Sequence, residues 1–321
     1  MRSALLVSIL GALTACEATH DGKGCLAVEA EQTTCPAANT LHTADLFSPE
    51  SCGSEVVALK GEGKREVVGD NQTEACCYPA KVTDTDSGCV VGRPYWDGGV
   101  QRQAPLFGST AAVSASNAER AAAWAMAGAG EHASVAAFAR LSLQLMALGA
   151  PNALLRDVHR AAFEEVKHAD QCWEFARHFG GAEVSAGPFP FHSSPSTQVS
   201  LAELAAAAVR EGCLAETLGA HVLSVAAAHA PEPAVRAALL GMAEEEARHA
   251  VLSFRIVAWA LRSGDAEVSA SVHAAFAAPW PRIDVGELSV RSNVDVQCLE
   301  AAVEQGITEV LAPARARLLA A

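Results

Sequence analysis

Glu165-Val166-Lys167-His168 and Glu246-Ala247-Arg248-His249 are two copies of one four-residue pattern, and each follows another glutamate, Glu131 and Glu211, at a similar distance. The separations are 34 residues (131 to 165) and 35 residues (211 to 246), so the midpoints fall at residue 148 and between residues 228 and 229. Gly149-Ala150-Pro151 lies beside the first midpoint and Pro231-Glu232-Pro233 beside the second. Both are breaks between helices, because proline belongs at a helix start and glycine just past a helix end. In an antiparallel helical hairpin, residues equally far from the turn sit at one height, so each pair of glutamates meets across its hairpin. Positions three apart on a helix are neighbours, so Glu165 projects with His168, and Glu246 with His249.

Outward from these motifs, a composition of Ala, Leu, Val and Glu at helical spacing predicts four long helices over 117–148, 152–179, 199–229 and 232–263. The connection between the two hairpins, 180–200, holds Pro188, Pro190 and Pro195 and is far longer than a tight helix–helix turn. The expected class is mainly α, a four-helix bundle with one long crossover. Steps of four and seven residues from Glu131 reach Trp124, Val135, Phe138 and Leu145, and from Glu246 they reach Leu239, Met242 and Val257. The glutamates therefore face inward. Four buried carboxylates repel one another and lose their hydration, at a cost of several kcal/mol per ion, unless cations neutralise them.

One Glu from each of two helices, plus Glu-x-x-His from each of the other two, is the ligand pattern of di-iron and di-manganese carboxylate bundles. Over residues 117–263 the chain resembles the ferritin-like superfamily, in the sense that includes rubrerythrins and bacterioferritins. The resemblance implies Glu131, Glu165, His168, Glu211, Glu246 and His249 as metal ligands. It implies two iron ions, with manganese or a mixed manganese–iron pair as alternatives, and chemistry with oxygen or peroxide. The family pattern favours Glu165 and Glu246 over their neighbours Glu164 and Glu245. Glu216, five residues after Glu211, is either an extra ligand on a distorted turn or a polar neighbour. His132 is expected to point elsewhere and to be exposed, and Cys172 to act as a small buried hydrophobe.

The functional expectation is a di-iron oxidoreductase that oxidises ferrous iron or a small organic substrate and draws on an external electron donor. The alternative is a non-catalytic, lipid-anchored surface scaffold or a periplasmic metal-binding protein. Tyr78 and Tyr95, the two tyrosines, fall outside the predicted helices, which leaves no evident carrier for a radical inside the bundle.

The remaining chain reads as flanking segments. Residues 1–15 form a short apolar export signal, and Leu13-Thr14-Ala15-Cys16 resembles a bacterial lipobox in which Cys16 is acylated. The expected location is the bacterial cell envelope, anchored in lipid at the periplasmic side of the outer membrane or at the cell surface. Residues 16–95 hold Cys25, Cys35, Cys52, Cys76, Cys77 and Cys89, which in an exported chain reads as a loop-rich disulfide module with its pairing left open. Residues 96–116 read as a linker, and 264–321 as a loop with Pro279-Trp280-Pro281 followed by a helix near 293–320 that packs on the bundle. A net charge of −14 disfavours nucleic acid as a partner.

Overall fold

The chain divides into two units, one spanning Met1–Cys89 with Gly98–Val100 and the other Val90–Asp97 with Gln101–Ala321. The structure is a computed structural model, and it describes residues 20–27, 34–41, 54–68, 73–84, 93–97, 100–108, 113–191, 197–264, 266–278, 283 and 285–319. The export signal with Cys16, the cysteines Cys52 and Cys89, and Pro279-Trp280-Pro281 lie outside the described residues. No described helix is long and apolar enough to cross a membrane.

The first unit is more ordered than a loop-rich reading implies. Strands β1 (His20–Ala27), β2 (Ser54–Leu59), β3 (Lys64–Val68) and β4 (Thr73–Asp84) form one antiparallel sheet. β4 is its centre, with β1 along one edge and β2 and β3 in tandem along the other. Its middle, Ala75-Cys76-Cys77-Tyr78, is buried. Small residues and half-cystines rather than large aliphatics fill this core, so hydrophobic alternation gave little warning of it. Two disulfides staple the sheet: Cys25–Cys77 joins directly opposed residues of β1 and β4, and Cys35–Cys76 ties in the loop. Closing such loops contributes about 2–4 kcal/mol each, which a module with so small a core needs.

The second unit is mainly helical. Short strands β5 (Tyr95–Asp97), β6 (Val100–Arg102) and β7 (Leu106–Gly108) precede it. Ser114 starts α1 (Ala115–Ala147) by accepting a hydrogen bond from the Asn117 amide. Gly149, at φ 71°, makes the turn that only a residue without a Cβ adopts freely, and α2 (Asn152–Gly180) runs back along α1. The crossover contains β8 (Val184–Ala186), paired antiparallel with β7. A capping box of Ser200 and Glu203 then starts α3 (Leu201–Ala207), and a π-helical segment, Ala208–Glu216, joins it to α4 (Thr217–His229). Pro233 opens α5 (Pro233–Ser263), which packs on the π segment and α4 and also meets α2. Trp124, Phe138, Leu145, Val158, Leu218, Leu239 and Ile256 belong to one continuous core. Each large apolar side chain buried there contributes about 1.5–3 kcal/mol.

The tail differs from the predicted loop and single helix. α6 (Ala266–Ala277) packs on α3, and Val268, Val272, Ala275 and Phe276 supply its buried stripe. α7 (Gly286–Ser292) lies against α1. α8 (Val296–Gln305), a π segment (Gly306–Leu311) and α9 (Ala312–Leu319) follow without a break.

Candidate metal centre

Four helical stretches deliver six buried side chains to one place. Glu131 comes from α1, Glu165 and His168 from α2, Glu216 from the π segment, and Glu246 and His249 from α5. Donor atoms of Glu131, Glu165, His168 and Glu246 lie within 4.8 Å of one another, as do those of Glu216, Glu246 and His249. The two glutamates of the repeated motifs stand between the two histidines. Glu165 turns Oε2 to His168 Nδ1 (3.7 Å) and Oε1 to His249 Nδ1 (3.1 Å). Glu246 turns Oε1 to His168 Nδ1 and Oε2 to His249 Nδ1, both at 3.5 Å. Glu131 approaches the first imidazole at 3.9 Å, and Glu216 belongs to the second group. Two carboxylates thus stand between the two imidazoles, with one more carboxylate in each group of donors.

One of the expected positions lies outside the donor groups. Glu211 is not brought into this cluster: its side chain is 18% exposed and faces Arg93 at 3.5 Å, whereas Glu216 is fully buried among the donors. The reason is the π segment. Its wider turns rotate the chain so that Glu216 points inward, five residues beyond the position that spacing alone suggests. A signal for this was present. Midway between residues 216 and 246 lies residue 231, the centre of the turn between α4 and α5, whereas the midpoint for Glu211 falls inside α4.

Glu164 and Glu245 also have a clear place. His168 Nε2 donates to Glu245 Oε2 at 2.7 Å, and His249 Nε2 donates to Glu164 Oε2 at 2.9 Å. Each histidine of one motif is thus held by the glutamate that immediately precedes the other motif. Lys167 pairs with Glu245 and Arg248 with Glu164, so the exchange is reciprocal at both ends. Burial pushes the Glu164 carboxyl up, but hydrogen bonds from His249 and Arg248 outweigh it and hold the group at about 2. Glu245 is likewise lowered, with Lys167 and His168 overriding burial. A carboxylate on the far nitrogen fixes the tautomer and leaves Nδ1 aimed at the centre. Replacing Glu164 or Glu245 by glutamine is therefore expected to weaken metal binding about 10–100-fold while the helical content stays unchanged. Isothermal titration of each variant beside the parent checks it, and equal affinities would remove these residues from the site.

No protein-family model, curated protein or solved structure matches this chain. The site therefore rests on its own chemistry. Glu131 Oε2, both oxygens of Glu165, both of Glu216, Glu246 Oε2, and Nδ1 of His168 and of His249 are buried without a hydrogen-bond partner. An unpaired buried polar atom costs about 1–3 kcal/mol, and more when charged, so eight converging on one spot need a common partner. Hard oxygen donors with two imidazoles suit iron, manganese or zinc. In the chain alone, protons take up the imbalance. Burial raises Glu131 and Glu216 well above the usual carboxylate range, reinforced by Glu165 and Glu246 respectively. Burial would lower His168, but the surrounding carboxylates push it up to about 11, and His249 is raised in the same way.

Other residues settle as follows. His132 is half-buried rather than exposed, beside Trp173 and Phe189. Cys172 is buried, with its thiol raised by burial, 3.9 Å from Arg291. Tyr95 packs on α1 through Ala133 and Ala137 and against Phe189 and Phe191, so it belongs to the helical unit rather than to a separate module. Arg93, from the stretch read as part of the cysteine-rich module, also belongs to the helical unit and reaches the centre. Nothing in helical periodicity could have pointed to it.

Proposed function

We propose that the helical unit is a ferritin-like four-helix bundle that holds two metal ions, iron in the first instance, and serves as an oxidoreductase using oxygen or peroxide. The observation that carries this reading is the set of eight buried, partnerless donor atoms contributed by Glu131, Glu165, His168, Glu216, Glu246 and His249. Those residues would hold the metals, and Glu216 replaces Glu211 in the set implied by the resemblance. Bound iron supplies electron exchange with oxygen or peroxide, and the substrate is ferrous iron or a small organic molecule.

The chain supplies position and proton accounting. Glu164 and Glu245 hold the Nε2 protons of the two histidines and so present each Nδ1 as a donor. Burial raises Glu131 and Glu216 well above the usual carboxylate range, and cation entry would favour their ionised forms. Phe138, buried and 5.2 Å from the His249 ring, keeps that side of the centre dry. From the sequence of residues 1–16 we place the protein in the bacterial envelope, anchored by acylated Cys16 and served by an external electron donor.

Elemental analysis of the chain purified from its native compartment, together with oxygen uptake on adding ferrous iron, tests this reading. Bound iron with oxygen consumption is expected. A chain that holds no metal and takes none up on reconstitution overturns it.

A further inference from the structure

Arg93 is a buried cation beside the centre that the ligand pattern leaves unexplained. Its Nε lies 3.6 Å from Glu216 Oε1, and its Nη2 donates to Ser253 Oγ at 2.9 Å. Nη1 lies 3.5 Å from Glu211 Oε2, and the guanidinium sits 4.9 Å from the centroid of the Phe138 ring. The Arg93 carbonyl accepts from Ser134 Oγ at 2.9 Å, which anchors the backbone to α1. Gly212 makes room for the head group: a Cβ there would stand 1.9 Å from Ser253 Oγ and 2.7 Å from Arg93 Nη2. Contacts from α1, the π segment and α5 thus lock the guanidinium in place.

The two groups of donors are therefore unequal. Glu131 faces the imidazole of His168, itself one of the proposed ligands. Glu216 faces a guanidinium, which stays charged at any pH the protein meets. In a dry site, a fixed positive charge repels an incoming cation and competes with it for the same carboxylate.

Building on the metal-binding reading above, we propose that Arg93 makes the centre asymmetric: one ion is held tightly at Glu131, Glu165, His168 and Glu246, and a second is held weakly and exchangeably at Glu216, Glu246 and His249. Glu211, partly exposed, moderates this effect by drawing on the same guanidinium. Arg93 is a positioning and tuning residue that touches no ion itself.

The test titrates the full metal-free chain with manganese(II), followed by calorimetry and by equilibrium dialysis. The parent is expected to show two binding events separated by at least about tenfold. Arg93→Met should tighten the second event at least about tenfold and leave the first unchanged, and Arg93→Lys should restore the separation. Glu211→Gln, a partly exposed change that spares the core, should weaken the second event further. An unchanged second event in Arg93→Met, or in Glu211→Gln if the methionine variant does not fold, overturns the proposal. Two equal events in the parent overturn it and leave the metal reading standing. A parent that binds no manganese or iron overturns both.

Discussion

Glu246→Ala is expected to strip the centre of metal altogether, whereas Glu131→Ala and Glu216→Ala should each leave one of the two positions able to load. Glu246 is the residue common to both donor groups, and its two oxygens face different histidines at 3.5 Å. Removing it takes one ligand from each position and also the anion that both imidazoles share. Burial alone would raise its carboxyl, yet the facing Glu216 carboxyl and the His168 and His249 imidazoles hold it well below the usual range. Breaking so buried a pairing costs about 3–5 kcal/mol, so the metal-free variant should also melt lower. Glu131→Gln makes the contrasting case. An amide replaces a carboxyl whose neutral form burial already favours, so stability should hardly change while affinity at the first position falls. Elemental analysis and melting curves of the three alanine variants separate these outcomes. Metal at the parent's level in Glu246→Ala would show that the donors have been misassigned.

The second large effect is a reversal in the pH dependence of stability on loading metal. Groups raised in the fold, namely Glu131, Glu216, His168 at about 11 and His249, stabilise it fully below their ordinary values of 4.5 and 6.5. That contribution is lost as pH climbs toward the folded values. Groups lowered in the fold, Glu246, Glu245 and Glu164 at about 2, stabilise it above 4.5 and lose that effect as pH falls. The metal-free protein should therefore have its highest Tm at about pH 4.5, decline above it as Glu131 and Glu216 lose their contribution, and decline more steeply above about pH 6.5 as the histidines join them. A metal must displace the protons on Nδ1 and on the raised carboxyls, so its affinity grows about tenfold per pH unit for each proton released. With saturating metal, Tm should rise between pH 6 and pH 8, where the metal-free curve falls. Calorimetry with and without a chelator gives both curves, and parallel slopes would mean that protons and metal do not share these atoms.

Much of the helical unit was legible because its boundaries are written in local chemistry. Gly149, Pro151, Pro233 and the Ser200–Glu203 capping box mark ends that the structure places within a few residues of the predicted ones. Five of the six clustered donors follow from the repeated motif and the glutamate one hairpin arm away. Glu216 was harder to read, since a π segment changes which residues share a face without altering composition. Arg93 and Tyr95 were illegible for another reason: they arrive from a short segment, at the start of β5, whose docking on α1 depends on tertiary contacts such as Ser134 with the Arg93 carbonyl. The sheet of the first unit escaped notice because its centre is built from Ala and Cys rather than from alternating aliphatics. α6, by contrast, carries an ordinary apolar stripe that the prolines following it in the sequence obscured.

The reciprocal hold of each histidine by the other motif's glutamate bears on how the protein is made. A chain emerging from its N-terminus completes Glu131, Glu165 and His168 first, but His168 then has no Glu245 to orient it and no Glu246 to share. The later half carries the mirror-image deficit, since His249 waits for Glu164. Neither half can therefore capture a cation in the finished geometry before the two have docked. Loading in the finished geometry would therefore be a sign that both halves are already in place.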